Sequence, residues 1–450
     1  MTSLASSSTA AVPPSPSGRG STENKVVIVV PTRNRAVLAM RSVTSVLKQT
    51  GGCVTVVVSD NSTDLVEARR MERWCLKTGD KRLQYIRPGE SLAMTDHWNW
   101  AMEQALALEE ATHFIYLTDR MLFKPGGMSA VLEAASLYPD KVISYNHDKI
   151  VDHEVPLKID QGAWSGALVE VDSGHLLYLL SHRVIHPCLP RMLNCIVPRA
   201  IIEALRARFQ NVFSSISPDF SFCFRCLDLV DSFLYLDASP IFHYALARSN
   251  GASMSRGVTS RDHKDFVENM GGELRFSTPI PNIVSVRNAI FHEYCEARAE
   301  TGSEKFPDLD MEYYLGQLAE EVEEVEAPDA RNEMLAKLIA HGWVPPEREA
   351  EQPRGLQRLR RFLSPRAILK KFVQSTIFIW STPIWLAVVR RLGFRPPHGH
   401  HFRFRNLAQA MEYMNNVPRR KAPDMAHLQV LLEHKGRILH AGLNGLYGEK

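Results

Sequence analysis

The sequence predicts an α/β fold built on a mostly parallel sheet flanked by helices. Three observations predict it. Residues 25–30 and 54–58 are β-branched runs that read as strands buried on both faces. Each is followed by a segment whose apolar residues recur at helical spacing. A further apolar strand, Phe114-Ile115-Tyr116, continues the alternation. Strand–helix–strand units of this length join parallel strands by right-handed crossovers.

In chain order, residues 1–23 are rich in Ser, Ala, Pro and Gly and carry neither a basic leader nor an apolar core. They read as a disordered tail rather than a signal peptide. The first strand is broken by Pro31-Thr32-Arg33-Asn34-Arg35, and residues 37–49 form a helix with Val37, Met40, Val43, Val46 and Leu47 on one face. The second strand runs into Ser59-Asp60-Asn61-Ser62-Thr63-Asp64, which has N-cap chemistry for a helix over 65–76. A short strand over 83–86 and a helix over 96–107 precede the Phe114 strand. That strand stops abruptly on Leu117-Thr118-Asp119-Arg120. Ligands in open α/β sheets sit beyond the carboxyl ends of strands, so this ending is a candidate site; the alternative is a solvated strand end. Residues 128–138 read as a helix, 142–145 as a strand, and 279–342 as an acidic helical stretch.

At 450 residues the chain is long enough for two or three domains. Seven scattered cysteines argue against a disulfide framework and for a reducing, cytoplasmic compartment. The net charge of +3 is too small to argue for nucleic acid. Its distribution is uneven: residues 304–349 hold thirteen acids against four Lys/Arg, and residues 351–421 hold fifteen Lys/Arg against two acids. A basic C-terminal region suits an anionic partner. Within it, residues 372–389 carry no charge between Lys370-Lys371 and Arg390-Arg391. That is short of the roughly 20 apolar residues a span needs. The preferred reading is an interfacial or shallowly re-entrant helix on an anionic cytoplasmic leaflet, with a buried helix and a true span as alternatives.

His147, Asp148, Asp152 and His153 could take a divalent cation but read more simply as a polar loop. Cys223-Phe224-Arg225-Cys226 lacks the second pair a zinc site wants, so both cysteines are expected in a core. His398, His400 and His401 read as a surface turn.

Four segments in order, Pro31-Thr32-Arg33-Asn34-Arg35, Asp60-Asn61-Ser62-Thr63-Asp64, the stretch around Asn99, and Leu117-Thr118-Asp119-Arg120, resemble the family 2 glycosyltransferases of GT-A fold. The resemblance covers about residues 25–255. It implies a nucleoside-diphosphate-sugar donor, a glycan, lipid-linked or other hydroxyl acceptor, and inversion at the anomeric carbon. Donor contacts are then expected from Pro31, Thr32, Arg35, Asp60, Asn99, Thr118, Asp119 and Arg120; for Asp60 the alternative is a helix cap. Ser217-Pro218-Asp219-Phe220 is similar to the family's acidic motif at a helix start, which makes Asp219 the catalytic base, or else only a cap. Arg248, Asn250 and Ser253 resemble the closing segment after the last strand, with Asn250 where a His commonly reaches the metal. Metal-dependent members hold Mn or Mg on a carboxylate pair at the end of the Phe114 strand. Here the family's first Asp matches Thr118 or Asp119, and a later acidic position is Arg120. The expectation is that Arg120 takes over part of the metal's role, the alternative being a cation held on Asp119. The domains implied are a nucleotide-sugar half (24–150), an acceptor half (151–285), an acidic helical segment (286–350) and a basic, membrane-associated region (351–450). A nucleotidyltransferase would want a glycine-rich loop after the first strand, which is missing, and a non-catalytic sugar-nucleotide-binding protein or scaffold is the other alternative.

Overall fold

The computed structural model describes residues 24–49, 53–152, 156–162, 164–214, 216–246, 267, 274–325, 327–345, 403–416 and 426–440. The N-terminal half alternates as the sequence predicts: β1 (Val26–Thr32), α1 (Ala36–Leu47), β2 (Val54–Asp60), α2 (Leu65–Thr78), β3 (Leu83–Ile86), α3 (Met94–Leu106), β4 (His113–Tyr116), β5 (Met121–Phe123) and α4 (Gly127–Leu137). Then come β6 (Ile143–Val151), β7 (Leu157–Asp160), β8 (Leu168–Asp172), α5 (Ser173–His182), a 3-10 turn (Met192–Asn194), β9 (Cys195–Pro198), α6 (Arg199–Phe209), α7 (Pro218–Leu229) and β10 (Ser232–His243). Helices α8 (Val286–Thr301), α9 (Met311–Val322) and α10 (Pro328–Ala340) follow, and β11 (Arg403–Phe404), α11 (Leu407–Asn416), α12 (Ala426–Leu432) and β12 (Arg437–His440) close the described chain.

One sheet runs in the order β12-β8-β10-β6-β9-β4-β1-β2-β3. Strand β1 pairs in parallel with both β2 and β4, and β6 with β10. Along this path every strand except β8 and β9 points the same way. This is the α/β architecture, a mostly parallel sheet flanked by helices, that the sequence predicts. Its central strands are buried at every position because two layers cover them. Val27 and Val29 face one apolar cluster with Trp98, Tyr116 and Phe213, whereas Val26, Ile28 and Val30 face another with Ala39, Val43 and Met71. The period-2 alternation of a strand feeds both layers. Gly127 marks a close approach of α4 to β10: a Cβ there would sit 2.3 Å from the Pro240 carbonyl oxygen.

The chain departs from the sequence reading at β6. His147 and Asp148 lie inside β6, not in a loop, because the strand runs on through alternating buried positions. The described parts of the acidic and basic stretches, residues 286–325, 327–345, 403–416 and 426–440, contact the sheet domain. Phe291, Tyr294, Tyr314 and Leu318 from α8 and α9 join the cluster that contains Val27 and Tyr116. Strand β11 pairs with β7, and Phe404, Ala410 and Tyr413 cover Leu38, Leu122 and Tyr244. Strand β12 extends the sheet at β8. Apolar residues dispersed among charges make these contacts, so net charge alone hides them. Residues 1–23, 153–155, 247–266 and 346–402, and with them His153, Arg248, Asn250, Ser253, the 372–389 run, His398, His400 and His401, lie outside the described residues. Among the described residues no helix is long and apolar enough to cross a membrane. All seven cysteines are free, and Cys223 and Cys226 are buried in the core on α7.

Candidate active site

At the carboxyl end of the parallel strands, Thr32 and Asp60 stand side by side in register. The Thr32 hydroxyl donates to Asp119 Oδ2 at 3.1 Å. The other carboxylate oxygen, Oδ1, lies 3.7 Å from Arg35 Nη1 and 3.9 Å from Arg120 Nε. Asp119 therefore sits between two guanidiniums, its side chain only 5 % exposed. The surrounding backbone is fixed from three directions: Ser42 Oγ donates to the Thr118 carbonyl, Met121 N–H closes a turn onto the same oxygen, and Tyr244 N–H binds the Arg120 carbonyl. Pro31 is buried within β1. Asn34 takes a left-handed φ of 56°, which Asn tolerates better than most residues. Its amide accepts from Asp64 N–H and donates to Thr63 Oγ1, lacing the first two strand-end loops together.

Asp60 is fully buried. One oxygen accepts from the Ser62 N–H and hydroxyl, and the other from the Tyr85 hydroxyl at 2.9 Å. It does not cap α2; Asp64 does, accepting from Val66 N–H. The loop that faces it is held by Asn61, whose amide makes two hydrogen bonds with the Leu92 backbone, and by Arg33, which donates to the Leu92 carbonyl. His97 lies beneath with Nε2 2.7 Å from Ser59 Oγ, and burial together with the Arg33 charge pulls its pKa down to about 4. Asn99 stands apart from this group: its amide makes both of its hydrogen bonds to the Phe213 backbone.

Asp219 occupies the first turn of α7 behind Pro218. Burial raises its pKa above the usual carboxylate range, opposed by Arg191 and by first-turn backbone N–H groups. Arg191 Nη1 lies 3.9 Å from Asp219 Oδ2. Two histidines lie within reach of the Arg191 charge. His147 on β6 and His243 at the end of β10 stack with ring centroids 4.2 Å apart and planes 15° apart. His243 pairs across β5 with Met121, next to Arg120. Burial holds both imidazoles well below their ordinary pKa; Arg191 and Lys149 reinforce this for His147, and His147, Arg120 and Arg191 for His243. Both rings are neutral at pH 7. The Arg120 charge acts on His243, and the Arg191 charge on both rings.

The other acids near His147 turn elsewhere. Asp148 pairs with Lys124 and accepts from Gly162 N–H and Trp164 Nε1. Asp152 accepts from the N–H groups of Ala245 and Leu246. Among the described residues no group of three or more His, Cys, Asp or Glu side chains could hold a metal ion. Sequence reasoning missed Tyr85, Arg191 and His243, which reach the site through tertiary contacts and carry no local motif.

No protein-family model matches the chain, and no curated protein matches it. Among solved structures it is similar to S. aureus TarS 1–349 in complex with UDP-GlcNAc, at 15 % identity and a TM-score of 0.40, over 70 % of this chain and 88 % of that one. A second S. aureus TarS structure aligns at 14 % identity and a TM-score of 0.38, over 70 % of this chain and 53 % of that one, about half its length.

Proposed function

We propose that this chain is an inverting glycosyltransferase that moves a sugar from a nucleoside-diphosphate sugar to an acceptor hydroxyl. The observation that carries this reading is one arrangement. A carboxylate-anchored pair of guanidiniums lies at the carboxyl edge of the sheet, and a mostly buried carboxylate stands in the first turn of α7 beside Arg191. In the reaction Asp219 takes the proton of the acceptor hydroxyl as its oxygen bonds to the anomeric carbon. The bond from that carbon to the diphosphate breaks, and the nucleoside diphosphate leaves with the electron pair. General-base help of this kind contributes about 10²–10⁴-fold, and positioning and leaving-group stabilisation supply the rest.

Arg35 and Arg120 bind the leaving diphosphate in this reading. Guanidiniums stay protonated and chelate phosphate oxygens bidentately. Asp119 orients both. The described donor set does not fit a divalent cation: a +2 ion about 4 Å from one guanidinium meets about 8 kcal/mol of repulsion at an effective dielectric of 20, and Asp119 already faces two. Asp60 serves the base once Tyr85 yields its hydrogen bond. The basic excess of residues 351–421 supports a cytoplasmic enzyme held peripherally on an anionic leaflet.

A thermal-shift screen over nucleoside diphosphates tests the first half of the proposal, because selective binding stabilises the native state by mass action. Selective stabilisation by one base is expected. No response to any of them at millimolar concentration would remove the donor assignment.

A further inference from the structure

We propose that Arg191 is a positioning residue for Asp219: it holds that carboxylate in place and ionised, and so sets the pH range in which the base works. The inference rests on the reading of Asp219 as the base.

Asp219 is the carboxylate with which Arg191 forms an ion pair among the described residues, at 3.9 Å. That separation exceeds a direct hydrogen bond. The guanidinium therefore acts on the carboxylate as a charge, and the pair leaves room for an acceptor hydroxyl at Asp219. Arg191 is itself anchored. Its N–H donates to Asn194 Oδ1 at 3.1 Å, and its carbonyl accepts from Asn194 N–H and Cys195 Sγ. Asn194 is fully buried, its amide donating to the Tyr145 and Leu189 carbonyls. The guanidinium lies over the Phe220 ring, 5.2 Å from its centroid, and Phe220 is the residue after the base. One face of the guanidinium is thus fixed by α7 and its backbone by a buried amide. A rigid cation beside a mostly buried carboxylate favours the ionised form.

The other groups around the pair do not compete. His147 from β6 and His243 from β10 face Arg191 as neutral rings. Cys223 on α7 and Cys195 on β9 are thiols that burial keeps protonated. Glu293 from α8 binds Ser217 N–H at the helix start. Arg225 and Asp228, further along α7, pair with Glu300 of α8 and Arg208 of α6. Arg191 is the charged side chain that acts on Asp219.

The test is a ¹³C NMR titration of the full-length protein labelled at Asp carboxyls, with the Asp219 signal assigned by its loss in Asp219→Asn. The midpoint is expected to rise by about one unit or more in Arg191→Gln, since a charge within ~4–6 Å shifts a carboxyl by 1–3 units. Arg191→Lys should restore most of the parent value. Phe220→Leu, which removes the platform but keeps the charge, should move the midpoint in the same direction by less. In turnover, the acidic limb of the kcat–pH profile should follow the NMR midpoint. Equal midpoints in the parent, Arg191→Gln and Phe220→Leu would overturn the proposal. If instead the midpoint moves but Asp219→Asn turns over normally, the pairing stands and the base assignment falls.

Discussion

Thr32 donates its hydroxyl to Asp119 across 3.1 Å, joining the end of β1 to the turn after β4; the two residues lie 87 apart in the chain. That bond leaves the second carboxylate oxygen of Asp119 to face Arg35 and Arg120. Asp119 thereby orients two cations, and the three side chains together carry one net positive charge.

Donor affinity should accordingly survive chelation. With excess EDTA, calorimetric affinity for the preferred nucleoside diphosphate is expected to match the untreated value within error. Arg120→Ala should weaken it about 10- to 100-fold, the loss of one charge-assisted hydrogen bond of ~1.5–3 kcal/mol. Loss of binding on chelation with recovery in Mn²⁺ or Mg²⁺ would show that a metal, not the guanidinium, carries the diphosphate.

The C-terminal segment should prove structural. Asp237, fully buried on β10, accepts from Tyr235, Ser165 and Asn146 and, at 2.8 Å, from His427 of α12. His175 and His186 bind the Val430 and His427 carbonyls. Asp237→Ala strands these donors and is expected to cost about 3–5 kcal/mol in urea unfolding. Truncation before residue 403 should also expose Leu38, Leu122 and Tyr244 and give an aggregation-prone product. A truncated chain with the parent's melting temperature would contradict the packing described.

How much of this could be read from sequence divides by range. The strands were legible because burial on both faces leaves a β-branched run that local composition reveals. Asp119 and Arg120 were legible because charge follows such a run directly. Arg191 and His243 were not, since each acts through partners brought near by the fold. His243 closes a twelve-residue strand that reads as core. Asn99 was singled out on a motif, yet its amide holds the Phe213 backbone. The contact between His427 and Asp237 spans 190 residues, and nothing local announces it.

Stability should respond to Asp219 in a defined direction with pH. Its folded pKa is raised by burial, so the native state holds the proton more tightly than the unfolded chain. Stability therefore falls as pH rises from the unfolded pKa through the folded one, and is fully retained below both. At pH 7 Asp219→Asn removes an unfavourable buried charge and is expected to leave the melting temperature unchanged or raise it, the difference shrinking in acid. A fall of several degrees at pH 7 would mean that Asp219 stabilises the fold as a cap.

Vesicle binding should track the basic region. Each Lys or Arg near an anionic surface contributes about 1 kcal/mol, and residues 351–421 carry fifteen of them. The protein is expected to sediment with phosphatidylserine-containing vesicles at low salt and to be released as salt rises. Sedimentation equal to that with neutral vesicles would remove the membrane from the account.

The most direct test is nucleoside-diphosphate release from a panel of sugar nucleotides, measured for the parent and Asp219→Asn with candidate hydroxyl acceptors present. Release is expected from one donor, with a fall of about 10²-fold or more in kcat for Asp219→Asn and donor affinity unchanged between the two. Tight nucleotide binding without release from any donor, or equal turnover by Asp219→Asn, would contradict it.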